Sequence, residues 1–120
     1  MSADARRALG DAGEELVARW YTARGATVLD RHWRVRGGEV DLVLADGDTV
    51  VFCEVKTRRR HDFGSPLDAV TRVKQQRLRG LALTWLRAHA VRAPALRFDV
   101  AAVTWPVGGT PVVEVVTGAF

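Results

Sequence analysis

Apolar positions at helical spacing open the chain. Leu9, Ala12, Leu16, Trp20 and Ala23 recur every three or four residues, predicting a helix over 4–24, and Gly25 stands where a C-terminal glycine would close it. On that helix Glu14 lies beside Val17, Ala18 and Tyr21 at the edge of the apolar stripe, able to look back over whatever the helix packs on, whereas Glu15 points outward. The pattern then turns strand-like in TVLDRHWR (27–34), GEVDLVLA (38–45) and TVVFCEVKT (49–57). Gly37 and Gly38 separate the first two, and DGD at 46–48 folds the second onto the third as a hairpin. SPLDAV at 65–70 has the serine, proline and aspartate of a capped helix start. Helix then continues in one or two pieces to about His89, with Val70, Val73, Leu78, Leu81, Ala82 and Trp85 as its apolar side. Strands over 95–105 and 111–117, joined at PVGG, complete the order α-β-β-β-α-β-β. A helix between the third and fourth strands predicts a parallel crossover, hence an α/β domain with a mixed sheet and helices packed on it.

At 120 residues, 48% hydrophobic and 27% charged, this is one domain around a single core. No stretch is long or apolar enough to span a bilayer. The opening MSADARRALG has arginines without an apolar run behind them, unlike a secretory signal. A single cysteine, Cys53, excludes an internal disulfide, and these features together predict a cytoplasmic protein. Net charge is +4, and the sequence pI near 10.2 fits polyanion binding as well as a merely basic protein. Distribution says more. Bases gather in KTRRR at 56–60 and at Arg72, Lys74, Arg77 and Arg79, while acids gather at Glu14, Glu39, Asp41 and Glu54. Lys56 and Lys74 are the two lysines among 18 basic residues, which hints at a role for a compact ammonium.

Strand alternation places Glu39 and Asp41 on one face of the second strand, with Val40, Leu42 and Leu44 on the other. On the third strand Phe52, Glu54 and Lys56 share a face, with Val51, Cys53 and Val55 behind. Histidines 32, 61 and 89 show no zinc spacing, no glycine loop fits a phosphate cradle, and Ser2 and Ser65 lack a base. What remains is Asp41, then Glu54-x-Lys56, brought near one another across the hairpin. Two such carboxylates repel and raise each other's pKa unless a cation joins them. Hard oxygen donors, with the Val55 carbonyl as a third, suit Mg²⁺ or Mn²⁺. Lys56 would orient a water or stabilise charge on a phosphate. The bland alternative is a solvated ion pair worth about 0–1 kcal/mol. With 14 acids and 2 lysines, chance yields roughly 0.2 such matches, so the motif gains its weight from the acids on the adjoining strand and the basic rim. Arg58, Arg59 and Arg60 would hold phosphates without reading sequence. Asp99, among apolar residues, reads as a hydrogen-bonded structural acid; Trp20, Trp33, Trp85 and Trp105 read as core, and Cys53 as buried and inert.

The spacing D-(x)12-E-x-K on a hairpin between two helices resembles the PD-(D/E)XK nuclease superfamily. GEELVARWY, RHWRVRGGEVDLVLADGDTVVFCEVKTRRRHDFGSPLDAVTRVKQQRL and RFDVAAV are more closely similar to the YraN family of small bacterial proteins, over almost the whole chain. The resemblance implies a restriction-endonuclease-like fold related to archaeal Holliday-junction resolvases, and endonuclease activity. It implies metal-binding roles for Asp41 and Glu54, a catalytic role for Lys56, and a contribution of Glu14 to the metal site. Lys74 and Gln75 match a KQ pair expected to contact phosphate or water, and Arg72 lies beside them. Glu39 matches a family glutamate without an assigned role. His32 stands where asparagine is expected, and Val40 replaces the proline before Asp41. The expected protein is thus a Mg²⁺- or Mn²⁺-dependent endonuclease acting on DNA, structured or branched DNA above all. The alternative is a nucleic-acid-binding or adaptor protein that keeps the fold without cleaving. Related resolvases are dimers on two-fold junctions, and the edge strand at 111–117 would serve a homodimer here.

Overall fold

Among the described residues five strands pair in chain order: β1 (Thr27–Val35), β2 (Gly38–Asp46), β3 (Thr49–Arg58), β4 (Ala95–Thr104) and β5 (Val112–Val116). The computed structural model describes residues 1–60 and 64–120, and His61, weighed above as a zinc ligand, lies outside them. Neighbouring strands are antiparallel except β3 and β4, which run parallel. They run parallel because the chain between them crosses the sheet as a 3-10 turn, Pro66–Ala69, and a helix, α2 (Arg72–Ala88). With α1 (Ala3–Thr22) in front, the order is the expected α-β-β-β-α-β-β. The predicted capping box is present: Leu67 N–H donates to Ser65 Oγ at 3.3 Å, and Ser65 N–H to Asp68 Oδ2 at 3.0 Å.

Each face of the sheet is covered by one helix. Val17, Ala18 and Tyr21 of α1 pack on Leu42, Leu44, Val51, Cys53, Ala101 and Val103. Leu78, Leu81, Ala82 and Trp85 of α2 pack on Val40, Val43, Phe52 and Val100. A strand buried on both faces has no polar side, which is why β3 reads as the unbroken run Val50-Val51-Phe52-Cys53. Phe52 and Trp85 meet edge to face with centroids 5.9 Å apart, each burial contributing about 1.5–3 kcal/mol. Trp85 is buried, and Trp20, Trp33 and Trp105 are half-buried against the two cores. Among the described residues no helix is long and apolar enough to cross a membrane.

Three expectations about faces are corrected. The buried stripe of α1 is Gly13, Val17, Ala18 and Tyr21, while Ala23 is exposed and Leu16 and Trp20 are only half-buried. The helix is turned because Gly13 lets β3 come close: a Cβ there would stand 1.8 Å from Thr57 Oγ1. Val73 is 63% exposed, because Val70 is extended and α2 starts afresh after Thr71, whose hydroxyl accepts from Lys74 N–H, so Val70 and Val73 do not share one helix. Val40 joins Val43 on the α2 face, opposite Leu42 and Leu44, so alternation breaks beside Asp41.

Asp99 is the structural acid expected. Fully buried, it accepts from Tyr21 O–H at 2.6 Å, from Arg97 at 2.9 and 3.1 Å and from Gly118 N–H at 2.9 Å, tying α1 to β4. Four donors satisfy the charge that burial would otherwise penalise.

Candidate metal centre

The β2–β3 hairpin keeps its register from Asp46–Thr49 to Leu42–Cys53. One further step would oppose Asp41 and Glu54, but the ladder stops short of it. On the other side, the β1–β2 register passes from Arg31–Leu42 to Trp33–Val40, stepping over His32 and Asp41. His32 adopts φ +52°, a left-handed conformation uncommon for a residue with a Cβ. Both ladders therefore open at one level, the level of Asp41. Freed from strand pairing, the Asp41 carboxylate accepts the Val55 N–H at 2.8 Å while remaining 92% buried by its 8% exposure.

Two more carboxylates, Glu14 and Glu54, feel the charge of Asp41. Glu14 descends from α1 with its side chain 16% exposed, and its Oε2 lies 3.1 Å from His32 Nδ1. Glu54 points to the α2 face, where it lines a cleft of about 260 Å³ with Gly38, Glu39, Lys74 and Arg77. Burial, then the charge of Asp41, pushes both Glu14 and Glu54 up to about 7. Asp41 is itself raised by burial, against the opposing Val55 amide, with the Glu39 charge adding to the rise. Three half-buried or buried acids that resist ionising together form a donor set short of positive charge. Hard oxygen donors in that condition fit a hard divalent cation.

Among the described residues, the group whose ligand atoms all lie within 4.8 Å of one another is Asp11, Glu14 and His32, a group able to hold a metal; Asp41 and Glu54 stand outside it. Sequence reasoning did not single out Asp11 or assign His32 to the site. The available signals were slight: Asp11 lies one helical turn before Glu14, and His32 is the departure from the expected asparagine.

The remaining predicted residues divide. Lys56 is exposed and lines a second cleft, about 330 Å³, with Arg6, Glu14, Arg58 and Arg59, and another with Arg58, Asp68 and Ala69. Lys74 faces Glu54 across the first cleft. Gln75 instead donates its amide to the Val70 carbonyl at 3.3 Å, securing the start of α2. Arg72 is exposed in the same first turn and lines neither cleft. Arg58 donates to Thr104 Oγ1 at 3.3 Å and the Gly64 carbonyl at 3.2 Å, and Arg59 to the Trp105 carbonyl at 3.1 Å, so both brace the ends of β3 and β4. Arg60 is exposed. Glu39, half exposed, pairs with Arg34 at 3.1 Å. By contrast, Arg6, Lys56, Lys74 and Arg77 make no side-chain hydrogen bond or ion pair within the described residues.

The family model described as "Uncharacterised protein family UPF0102" matches residues 13–103, a span that takes in Glu14, Asp41, Glu54, Lys56 and Gln75. The chain is similar to a UPF0102 protein of Clavibacter michiganensis subsp. michiganensis, 50% identical over 111 residues, 92% of this chain and 94% of the relative. A UPF0102 protein of Rhodococcus opacus is 50% identical over 113 residues, covering 94% and 96%. One of Frankia alni is 49% identical over 120 residues, the full length of both chains.

Proposed function

The chain belongs to UPF0102, the YraN family, and we propose that it is a metal-dependent endonuclease hydrolysing phosphodiester bonds of DNA, structured or branched DNA above all. The observation that carries this reading is that Glu14 on α1 and Glu54 on β3 both feel the charge of Asp41, where the ladders open, and are pushed up to about 7. These three carboxylates would hold Mg²⁺ or Mn²⁺. When bound, such an ion polarises a phosphoryl oxygen and lowers the pKa of a bound water. Lys56, exposed beside the carboxylates, orients the attacking water or stabilises charge developing on the phosphate. Arg6 and Lys56 in one cleft, and Lys74 and Arg77 in the other, supply unengaged cations on both sides of the carboxylates. A phosphate backbone crossing from cleft to cleft would pass by Glu54, which lines one, and Glu14, which lines the other. Arg58 and Arg59, occupied as braces, contribute less than their place in KTRRR suggests.

The test is incubation of the purified protein with four-way junction, flap, single-stranded and duplex DNA in Mg²⁺ or Mn²⁺, beside Asp41→Ala and Lys56→Ala prepared identically. Cleavage by the wild type that both variants lose establishes the nuclease and ranks its substrates. No cleavage, or equal cleavage by all three, refutes it in favour of a protein that binds without cutting.

A further inference from the structure

The Glu14 carboxylate is not placed by α1 alone. His32 Nδ1 lies 3.1 Å from Glu14 Oε2, and His32 Nε2 lies 2.9 Å from Arg34 Nη2. A guanidinium can only donate, so Nε2 must accept and carries no proton in this arrangement. The single proton of the neutral ring is then on Nδ1, where it is donated to Glu14. Arg34 is in turn held by Glu39, with Nε 3.1 Å from Oε2. The left-handed backbone of His32, φ +52°, accompanies the point where the β1–β2 register steps over His32 and Asp41. A side-chain-bearing residue held in a sparsely populated conformation beside a candidate site is the kind of strain that functional geometry retains.

We propose that Glu39, Arg34 and His32 form a relay that orients Glu14 toward Asp41, with His32 a positioning residue and not itself a metal ligand. The inference rests on the metal-centre reading above, and it gives Glu39 a function. It also decides between two uses of His32. Ligation through Nδ1 in a group with Asp11 and Glu14 would need a lone pair on that nitrogen, and ligation through Nε2 would need Arg34 to leave it. In the relay Nδ1 is protonated and engaged. Asparagine is the conservative replacement, since its amide N–H can donate to a carboxylate much as Nδ1–H does.

Two measurements test this without relying on cleavage. In the metal-free protein, long-range ¹H–¹⁵N correlations of the imidazoles, with the His32 signals assigned by their loss in His32→Asn, report the tautomer. The relay requires protonation on Nδ1 alone; any other form of the ring overturns it. Mn²⁺ titration followed by electron paramagnetic resonance reports affinity. His32→Ala and Arg34→Ala are expected to weaken binding about tenfold with folding intact by urea denaturation, and His32→Asn to restore most of the loss. Equal affinity in wild type and His32→Ala overturns the relay, as does ¹⁴N coupling from His32 to the bound Mn²⁺, which would make it a ligand. Absence of Mn²⁺ binding by the wild type refutes the metal centre instead, and the tautomer then still decides whether the hydrogen-bonded chain exists.

Discussion

Neutralising Glu54 should stabilise the protein while removing part of its proposed chemistry. The Glu54 carboxyl is pushed from its ordinary 4.5 to about 7, first by burial and then by Asp41, with Lys74 and Lys56 only partly offsetting them. A folded-state value above the unfolded one means that the folded chain holds the proton more tightly. This contribution to stability is therefore fully present below about 4.5 and lost as pH rises through about 7. Near pH 8.5 the wild type bears the whole cost of a charged Glu54, about 3 kcal/mol, and near pH 5 it bears less than about 1 kcal/mol. Glu54→Gln keeps the shape and discards the charge. In chelator at about pH 8.5 it should gain about 2–3 kcal/mol, or about 10 °C in Tm, and near pH 5 the gain should fade below about 1 kcal/mol. Urea denaturation followed by tryptophan fluorescence reads both conditions. Adding Mg²⁺ at about 100 times its Kd should raise the wild type by about 2.7 kcal/mol and leave Glu54→Gln nearly unmoved. A variant no more stable than wild type at the higher pH, or a gain independent of pH, would refute the electrostatic account of the site.

Lys56→Arg preserves charge but not the compact ammonium, and should cut cleavage at least tenfold with an unchanged urea midpoint; full activity would remove the role given to Lys56. Arg6→Ala, Lys74→Ala and Arg77→Ala should each lower the salt-dependence slope of DNA binding in chelator by about 1, whereas unchanged slopes would take the backbone out of the two clefts. Gly13→Ala gains about 1 kcal/mol of helix propensity but drives a methyl into Thr57, for a net loss of about 2 kcal/mol. Adding Thr57→Gly should recover part of that loss in a double-mutant cycle, and strict additivity would show that the clash is not what matters. Tyr21→Phe removes the buried 2.6 Å bond to Asp99 and should cost about 1.5–3 kcal/mol in urea denaturation; a neutral result would mean that Arg97 and Gly118 suffice for that carboxylate.

The order of elements and the parallel pairing of β3 with β4 were legible because a hairpin turn and an intervening helix leave a chain few ways to pair. The carboxylates were legible because charge inside an apolar strand is costly and stands out. What escaped the pattern were places where packing depends on something other than apolar spacing. Gly13 contributes to the buried face of α1 by having no side chain, so no hydrophobic count weights it. Val40 leaves the expected face because the ladders open at Asp41, an irregularity that period-two reading assumes away. Arg58 and Arg59 looked like a free basic run, but two of the acceptors that engage them, Thr104 and Trp105, lie more than forty positions later. His32 gave only a slight sign of its contact with Glu14, which lies 18 residues away on another element.

The buried bond between Tyr21 and Asp99 acts at a distance from the carboxylates. Tyr21 and Glu14 are two helical turns apart on α1, a lever of about 10 Å. A tilt of about 5° about the Tyr21 end would carry Glu14 through about 1 Å, against the roughly 0.5 Å within which a functional constellation must be held. Substitutions at Asp99, Arg97 or the turn at Gly118 would thus detune the proposed centre without touching it, and loss of activity alone would not mark such residues as part of it.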